Sequence, residues 1–352
     1  MVSWKLLRSS LLISLIWVIV ISSCKGKKHD EELNLPEPSF TDELQEAIDR
    51  VLSAYPDHNL GISAAVIVPG HRTWIGVSGY SHQSVPITID MLFNVGSIQK
   101  NFESALVLKL VEDGKLSLDD PISKYLPAYP NVDRNITVRQ LLNHTSGVFN
   151  VFEHPNFPWV GTDVDYAKSW KENEVFNTFV LDPYGPPGYV QHYSSTNYLL
   201  ITMIIEKVTG STVPDEIENY FLKPMNLEHT YVSMGEHPPA LYSVAHPWAD
   251  IDRDGDLDDL HGKPQTWIVS LSHPVMFSTP KDLVHWVYAL YHESTVLNPD
   301  SLAEMLTYPE VTLRDPEGNS YGLGVVDYSD RLGTHVFGHL GSSLGYSAAA
   351  LY

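Results

Sequence analysis

The sequence predicts an α+β fold in which both ends of the chain build one sheet, flanked by helices, and a mostly helical domain is inserted between them. Three observations carry this. Two β-like runs near the start, ISAAVIV from Ile62 and TWIGVSG from Thr73, are joined by the turn residues Pro69-Gly70-His71-Arg72 and read as an antiparallel hairpin. From Leu116 to about Gly210, helical segments such as TVRQLLNH and NYLLITMIIEKVTG alternate with loops rich in proline and aromatics, and no β alternation persists. After Ser278 the helix PKDLVHWVYALYH precedes returning β-like runs, THVFGH and GYSAAALY. The sheet part is expected over about 41–113 and 276–352, and the helical insertion over about 114–275.

At the N-terminus, Lys5 and Arg8 precede an apolar run from Leu11 to Ile21 and small residues before Cys24. This predicts an export signal over residues 1–23, too short for a comfortable membrane span. Ile21-Ser22-Ser23-Cys24 resembles the bacterial lipoprotein box, in which cleavage leaves the cysteine as a lipidated N-terminus. That would make the chain a membrane-anchored lipoprotein of the cell envelope; an uncleaved signal anchor is the alternative. Cys24 is the sole cysteine, so no intrachain disulfide can form. Residues 24–40 are polar and read as a tether, leaving the fold to begin near Phe40. Residues 41–54 then place Leu44, Ile48, Val51 and Leu52 on one helical face behind Thr41 as a cap. The helix that carries Ser97 comes after the hairpin and ends at Gly114, a suitable C-cap.

A chain of 352 residues that is 43% hydrophobic and 18% charged can bury a sizeable core. Its net charge of −21 argues against electrostatic binding to nucleic acid or anionic lipid, which need clustered Lys and Arg. Small neutral or cationic partners fit better.

The chemistry centres on Ser97-Ile98-Gln99-Lys100. Positions three apart share a helical face and bring an ammonium beside a hydroxyl. Partial desolvation would favour the neutral amine, able to accept the serine proton, and the helix N-terminus would favour negative charge developing at Ser97. Lys100 snorkelling to the surface is the alternative. Ser-x-x-Lys is weak alone: Ser22–Lys25 lies in the export signal, and Ser278–Lys281 reads as a helix start with Thr279 as N-cap and Pro280 at the first position. Two further segments bear on the choice. PPGYVQHYSSTNYLL delivers Tyr193 immediately before an apolar helix, and FGHLGSSLGY continues a β-like run with small residues that let a substrate approach the backbone.

With these segments the sequence resembles the serine β-lactamase and penicillin-binding protein superfamily, in its class C-like branch of β-lactamases, DD-peptidases, D-aminopeptidases and esterases. The resemblance spans nearly the whole chain from about residue 45. It runs through Ser97-Ile98-Gln99-Lys100, VEDGKLSLDDPISKYLP, LLNHTSG, YSSTNYLL, PMNLEHT, FSTPKDL, YGLGV and GHLGSSLGY. It implies a β-lactamase/transpeptidase-like fold with Ser97 as acylated nucleophile, Lys100 as its activator and Tyr193 as phenolic acid/base. It also implies His339 in the place of a substrate-binding lysine, beside Gly341, and an oxyanion hole from the backbone N–H groups of Ser97 and Ser342. Ser195 stands where the family has an amide contacting the substrate's acyl side chain. That exchange, with His339 for lysine, favours ester or peptide cleavage over efficient β-lactam hydrolysis.

A penicillin-binding DD-peptidase acting on peptidoglycan-like stems is the first alternative, and a catalytically silent binding or regulatory relative the second. The latter draws on Ser195 and on the end of the chain, which stops at Tyr352 inside an apolar run. The resembling fold continues with two strands and a helix; without them the sheet is expected to carry a gap between the hairpin and the strand of His339.

Asp250, Asp252, Asp254 and Asp258 fit the spacing of a calcium loop with Gly255 at its turn, although His261 stands where an EF-hand has its closing glutamate. A structural calcium or a solvated acidic loop are the two readings, and no metal or other cofactor is expected in the chemistry. Among the 16 histidines only His335 and His339 have a suggestive spacing, and they fall in a β-like run. The aromatics Phe152, Phe157, Trp159, Tyr166, Trp170 and Tyr184 either line the mouth of the site or pack against the helical region.

Overall fold

The computed structural model describes residues 14–20, 37–54, 60–157, 170–251, 254–261, 274–314 and 320–352. Cys24, most of the expected tether, Asp252, Trp159 and Tyr166 lie outside the described residues.

The main sheet has eight strands: β1 (Ser14–Val20), β2 (Gly61–Ile67), β3 (Trp74–His82), β4 (Val85–Pro86), β5 (Ser320–Tyr321), β6 (Val326–Asp327), β7 (Phe337–Ser343) and β8 (Tyr346–Leu351). Their spatial order is β5-β6-β7-β8-β1-β2-β3-β4. Strand β2 reads GISAAVI and is buried at every position, as a central strand covered on both faces must be. Its antiparallel pairing to β3 is the expected hairpin.

The structure departs from expectation at the centre of this sheet. The gap foreseen between the hairpin and the strands of His339 is filled by β1, which runs parallel to both β8 and β2. After Ser14 the segment LIWVIV is continuously apolar and rich in β-branched residues, the composition of a strand closed in on both faces, and it satisfies two edges that would otherwise be open. The same segment is the apolar heart of the predicted export signal. β1 is also the exception to an otherwise antiparallel sheet.

Five helices build and support the site: α1 (Glu37–Ser53), α2 (Gln99–Glu112), α3 (Val138–Leu142), α4 (Ser195–Thr209) and α5 (Pro280–Val287). Helix α1 begins ahead of Thr41, so Thr41 is not its cap. The other end signals hold: Gly114 takes the left-handed conformation just beyond α2, and Thr279 Oγ1 accepts the Asp282 N–H at the start of α5 with Pro280 at the first position. The expected helical insertion holds α3 and α4 but also a strand, Thr230–Ser233. It pairs with Val275–Ser278, which pairs with Phe93–Asn94 in a second, three-stranded sheet. Four residues are too few for alternation to reveal a strand in sequence.

Helix α2 lies in the middle of the molecule, with Gln99 through Leu108 and Leu110 all buried. Trp286 of α5 stacks on Phe102 at 3.9 Å between ring centroids, and its indole N–H donates to Asn101 Oδ1 at 2.9 Å. Asn101 Nδ2 donates in turn to the Tyr291 hydroxyl and the Gly324 carbonyl, so this buried amide is satisfied at both ends. Trp286→Ala removes the stacked ring and leaves Asn101 Oδ1 without its donor. We expect it to cost about 3–5 kcal/mol, read as a lowered midpoint in urea unfolding.

Candidate active site

A single 3₁₀ turn, Gly96–Ile98, leads directly into α2 and presents Ser97 at the helix N-terminus. Ser97 Oγ accepts hydrogen bonds from Lys100 Nζ at 3.0 Å and from the Tyr193 hydroxyl at 2.8 Å. Lys100 does not snorkel; it is only 3% exposed, and its ammonium lies over the rings of Tyr193 and Tyr198 at 5.3 and 5.5 Å. Two residues far apart in sequence therefore converge on one hydroxyl.

Tyr193 is held from outside its own segment. It immediately precedes Ser194, the N-cap residue of α4, and His144 packs on its ring at 4.4 Å between centroids. His144 Nδ1 accepts from the Ser194 N–H at 3.2 Å and lies 3.1 Å from Asn197 Nδ2, which ties the loop after α3 to the start of α4. Burial, reinforced by the charge of Lys100, holds His144 well below the ordinary histidine range, so it is a neutral brace.

The backbone of β7 comes against the same turn. A Cβ on Gly341 would collide with the Val95 carbonyl oxygen, and one on Gly96 would sit 2.7 Å from the Ser342 nitrogen. These two glycines are what allow the Ser97 and Ser342 backbones to lie side by side, with Gly96 at φ +52°. An open cleft lies over them, lined by Ser97, Lys100, Phe152, Ser195, Val275 and Ser342 among others. Ser195 opens α4 at its edge, and its N–H donates to Asn150 Oδ1 at 3.2 Å.

Chemically, this arrangement offers a hydroxyl with two proton-handling neighbours, beside the closely approaching backbone of β7 and a cleft with more apolar than polar lining. Residues 48–352 match the family described as Beta-lactamase. The chain belongs to the beta-lactamase family. With that membership comes the serine-hydrolase fold.

Relatives within the family place it further. Protein flp of Staphylococcus aureus (strain NCTC 8325 / PS 47) is 25% identical over 328 residues, covering 89% of this chain and 61% of that protein. The chain thus spans less than two thirds of that curated relative. Among solved structures, a D-amino acid amidase from Ochrobactrum anthropi SV3 complexed with D-phenylalanine superposes with a TM-score of 0.72 at 26% identity, covering 89% of this chain and 90% of that one. A D-stereospecific amidohydrolase from Streptomyces sp. gives a TM-score of 0.66 at 30% identity, with 80% and 82% covered.

His339 sits on β7 facing a residue that the sequence did not single out for the site. Its Nε2 lies 2.7 Å from the Tyr321 hydroxyl, and its Nδ1 lies 2.5 Å from the Leu340 carbonyl oxygen. The carbonyl can only accept, so Nδ1 carries the proton and Nε2 accepts from Tyr321. Burial, then Lys100, pushes His339 down to about 3. In this beta-lactamase-family site His339 is therefore a buried, neutral imidazole hydrogen-bonded to Tyr321. A histidine at its ordinary value of 6.5 when unfolded but near 3 when folded contributes stability present above pH 6.5 and lost as pH falls toward 3. Acid unfolding curves should show this slope for the native chain and a shallower one for His339→Asn.

Outside the cleft the remaining sequence expectations divide. Phe152 lines it, whereas Phe157 and Trp170 pack with Phe179 at 5.3 and 4.9 Å. The Tyr184 hydroxyl donates to Glu153 Oε2 at 2.7 Å. Among the described residues no group of three or more His, Cys, Asp or Glu side chains is placed to hold a metal ion. Asp250 Oδ2, Asp254 Oδ1 and Asp258 Oδ2 accept backbone N–H groups of Gly255, Asp256 and Ile251. His335 is exposed and does not converge with buried His339.

Proposed function

We propose that the chain cleaves esters or peptide-like amides through an acyl-enzyme on Ser97. The observation that carries this is the double contact at Ser97 Oγ, with Lys100 and Tyr193 both within hydrogen-bond reach. Lys100, as a neutral amine, takes the Ser97 proton while Oγ bonds to the substrate carbonyl carbon, and the carbonyl oxygen accepts the Ser97 and Ser342 N–H groups. The Tyr193 hydroxyl supplies the proton that leaves with the amine or alcohol. Water then enters by the reverse route, giving its proton to the same machinery and releasing the acid.

Three observations favour a neutral ester or amide over a β-lactam. Neutral His339 cannot pair with a substrate carboxylate. Ser195, which lines the cleft, offers a short hydroxyl where the resemblance puts an amide. The amidase and the amidohydrolase among the solved relatives act on amides by their names. A penicillin-binding activity uses the same groups and is the second reading. Lipidation at Cys24, which would place the enzyme on the cell envelope, belongs to the same proposal; incorporation of labelled palmitate, lost in Cys24→Ser, tests it. A structural calcium at Asp250, Asp252, Asp254 and Asp258 predicts a melting temperature that rises with calcium and falls with chelator.

The deciding experiment is intact mass spectrometry after incubation with a fluorophosphonate, and separately with a penicillin, beside an amide substrate assay. A single fluorophosphonate adduct on Ser97 with amide or ester turnover supports the hydrolase. A stable penicilloyl adduct with little turnover supports the penicillin-binding reading. A folded chain that takes no adduct is a silent scaffold and overturns both.

A further inference from the structure

We propose that Glu103 is the counter-charge of Lys100 and sets the pH at which Ser97 is activated, a positioning residue that acts through the lysine and never meets substrate. The inference rests on the acyl-enzyme reading of Ser97.

Ser97, Lys100 and Glu103 succeed one another at three-residue steps along the start of α2, which places them along one side of the helix. Lys100 is 3% exposed and Glu103 not at all. A buried ammonium is costly without a compensating charge. The groups in contact with Lys100 include Ser97 on its own turn and Tyr193 and Tyr198 at and within the start of α4, and its charge also reaches His144 after α3 and His339 on β7. Both histidines are held neutral. Those that act on Glu103 include Lys100 through its charge, Gln99, whose amide donates to Oε1 at 3.5 Å, and Thr202 and Tyr198 on α4. Within this set of described residues, Glu103 is the one carboxyl.

Burial pushes Glu103 up to about 8, with Lys100, Gln99 and Thr202 pulling back the other way. Both of its protonation states are therefore within reach near neutral pH. When Glu103 is ionised it favours the Lys100 ammonium, which cannot accept the serine proton. When Glu103 is protonated, no carboxylate named in this set offsets the ammonium, only the Tyr193 and Tyr198 rings and the Ser97 hydroxyl, and the amine that serves as base is favoured. The carboxyl exchanges one proton with solvent and forms no bond to substrate. Its place on the helix was visible in sequence, but its burial was not; on the chain it reads as one more charge in FESALVLKLV.

The test is the second-order rate of Ser97 labelling by a fluorophosphonate, measured from acid to alkaline pH in the full chain. Glu103→Gln, isosteric and permanently neutral, should move the rising limb of the profile to lower pH by about one unit or more. Glu103→Asp, whose carboxylate is drawn back from Lys100, should move it the same way by less. A folded Glu103→Gln protein whose limb superimposes on the native one overturns the proposal. So does one that labels more slowly by the same factor at every pH, as a merely structural role would produce. If Glu103→Gln does not fold, Glu103→Asp decides alone, and an unmoved limb overturns the idea. Failure of the native chain to label at all overturns the acyl-enzyme reading, and this inference with it; native labelling with an unmoved limb overturns only the inference.

Discussion

Ser97→Ala should yield a folded protein with no fluorophosphonate adduct and no turnover of an aryl ester or a peptide amide. The side chain is small and only partly buried, and its Oγ has two hydrogen-bond partners, Lys100 and Tyr193, that keep their own packing without it. Thermal unfolding is therefore expected to change little, whereas turnover falls by roughly a million-fold, the scale seen when a nucleophile is removed from an interdependent set. Paired measurement of the melting curve and of the adduct mass separates loss of chemistry from loss of fold. Persistence of the adduct in the alanine variant would move the nucleophile to another residue and sink the assignment.

The second large effect belongs to Tyr193→Phe. The ring stays braced by His144 and still offers its face to Lys100, so the substitution removes one hydroxyl and little packing. If that hydroxyl delivers the proton to the departing group, the loss depends on how much the group needs it. An amide, whose nitrogen leaves poorly unprotonated, should slow by about 10²–10⁴-fold, the usual range for a positioned acid or base. An aryl ester, whose phenolate leaves unaided, should be acylated with a much smaller loss. Steady-state rates on a matched ester and amide pair check this, and equal losses on both would assign Tyr193 to activating Ser97 rather than to the leaving group.

What could be read from sequence depends on how local each feature is. Ser97 and Lys100 lie one helical turn apart, so their contact was fixed as soon as α2 was recognised. Tyr193 was placed by its position ahead of an apolar helix, and the cap of α5 by Thr279-Pro280. The Tyr321–His339 hydrogen bond joins β5 to β7, and nothing in either stretch alone states which face each side chain takes. His144 lies in LLNHTSG, a segment noted for its resemblance, but its role as a brace needs α3 and the start of α4 docked together. The Glu103 carboxyl was obscured for the opposite reason. Surface helices place charges at similar spacings, and only burial of α2 on all sides changes what this one does. The strand Ser14–Val20 was legible as an apolar run, but its composition suits an export signal and a central strand equally, and pairing partners are a tertiary property.

The close approach of β7 to the turn before α2 carries one more consequence, for how catalytic competence is acquired. The proposed nucleophile, Ser97, and its amine, Lys100, lie in the first third of the sequence, whereas Gly341 and Ser342 come much later in it. Contacts of such sequence separation demand closure of a very long loop, and folds built on them form slowly. A ribosome-bound chain can form the hairpin and α2 early, yet the proposed oxyanion hole cannot be complete until Ser342 has emerged and β7 has paired. On the proposed mechanism activity would be switched on late in synthesis, and a chain released short of Ser342 would lack one of the two N–H groups assigned to the developing charge.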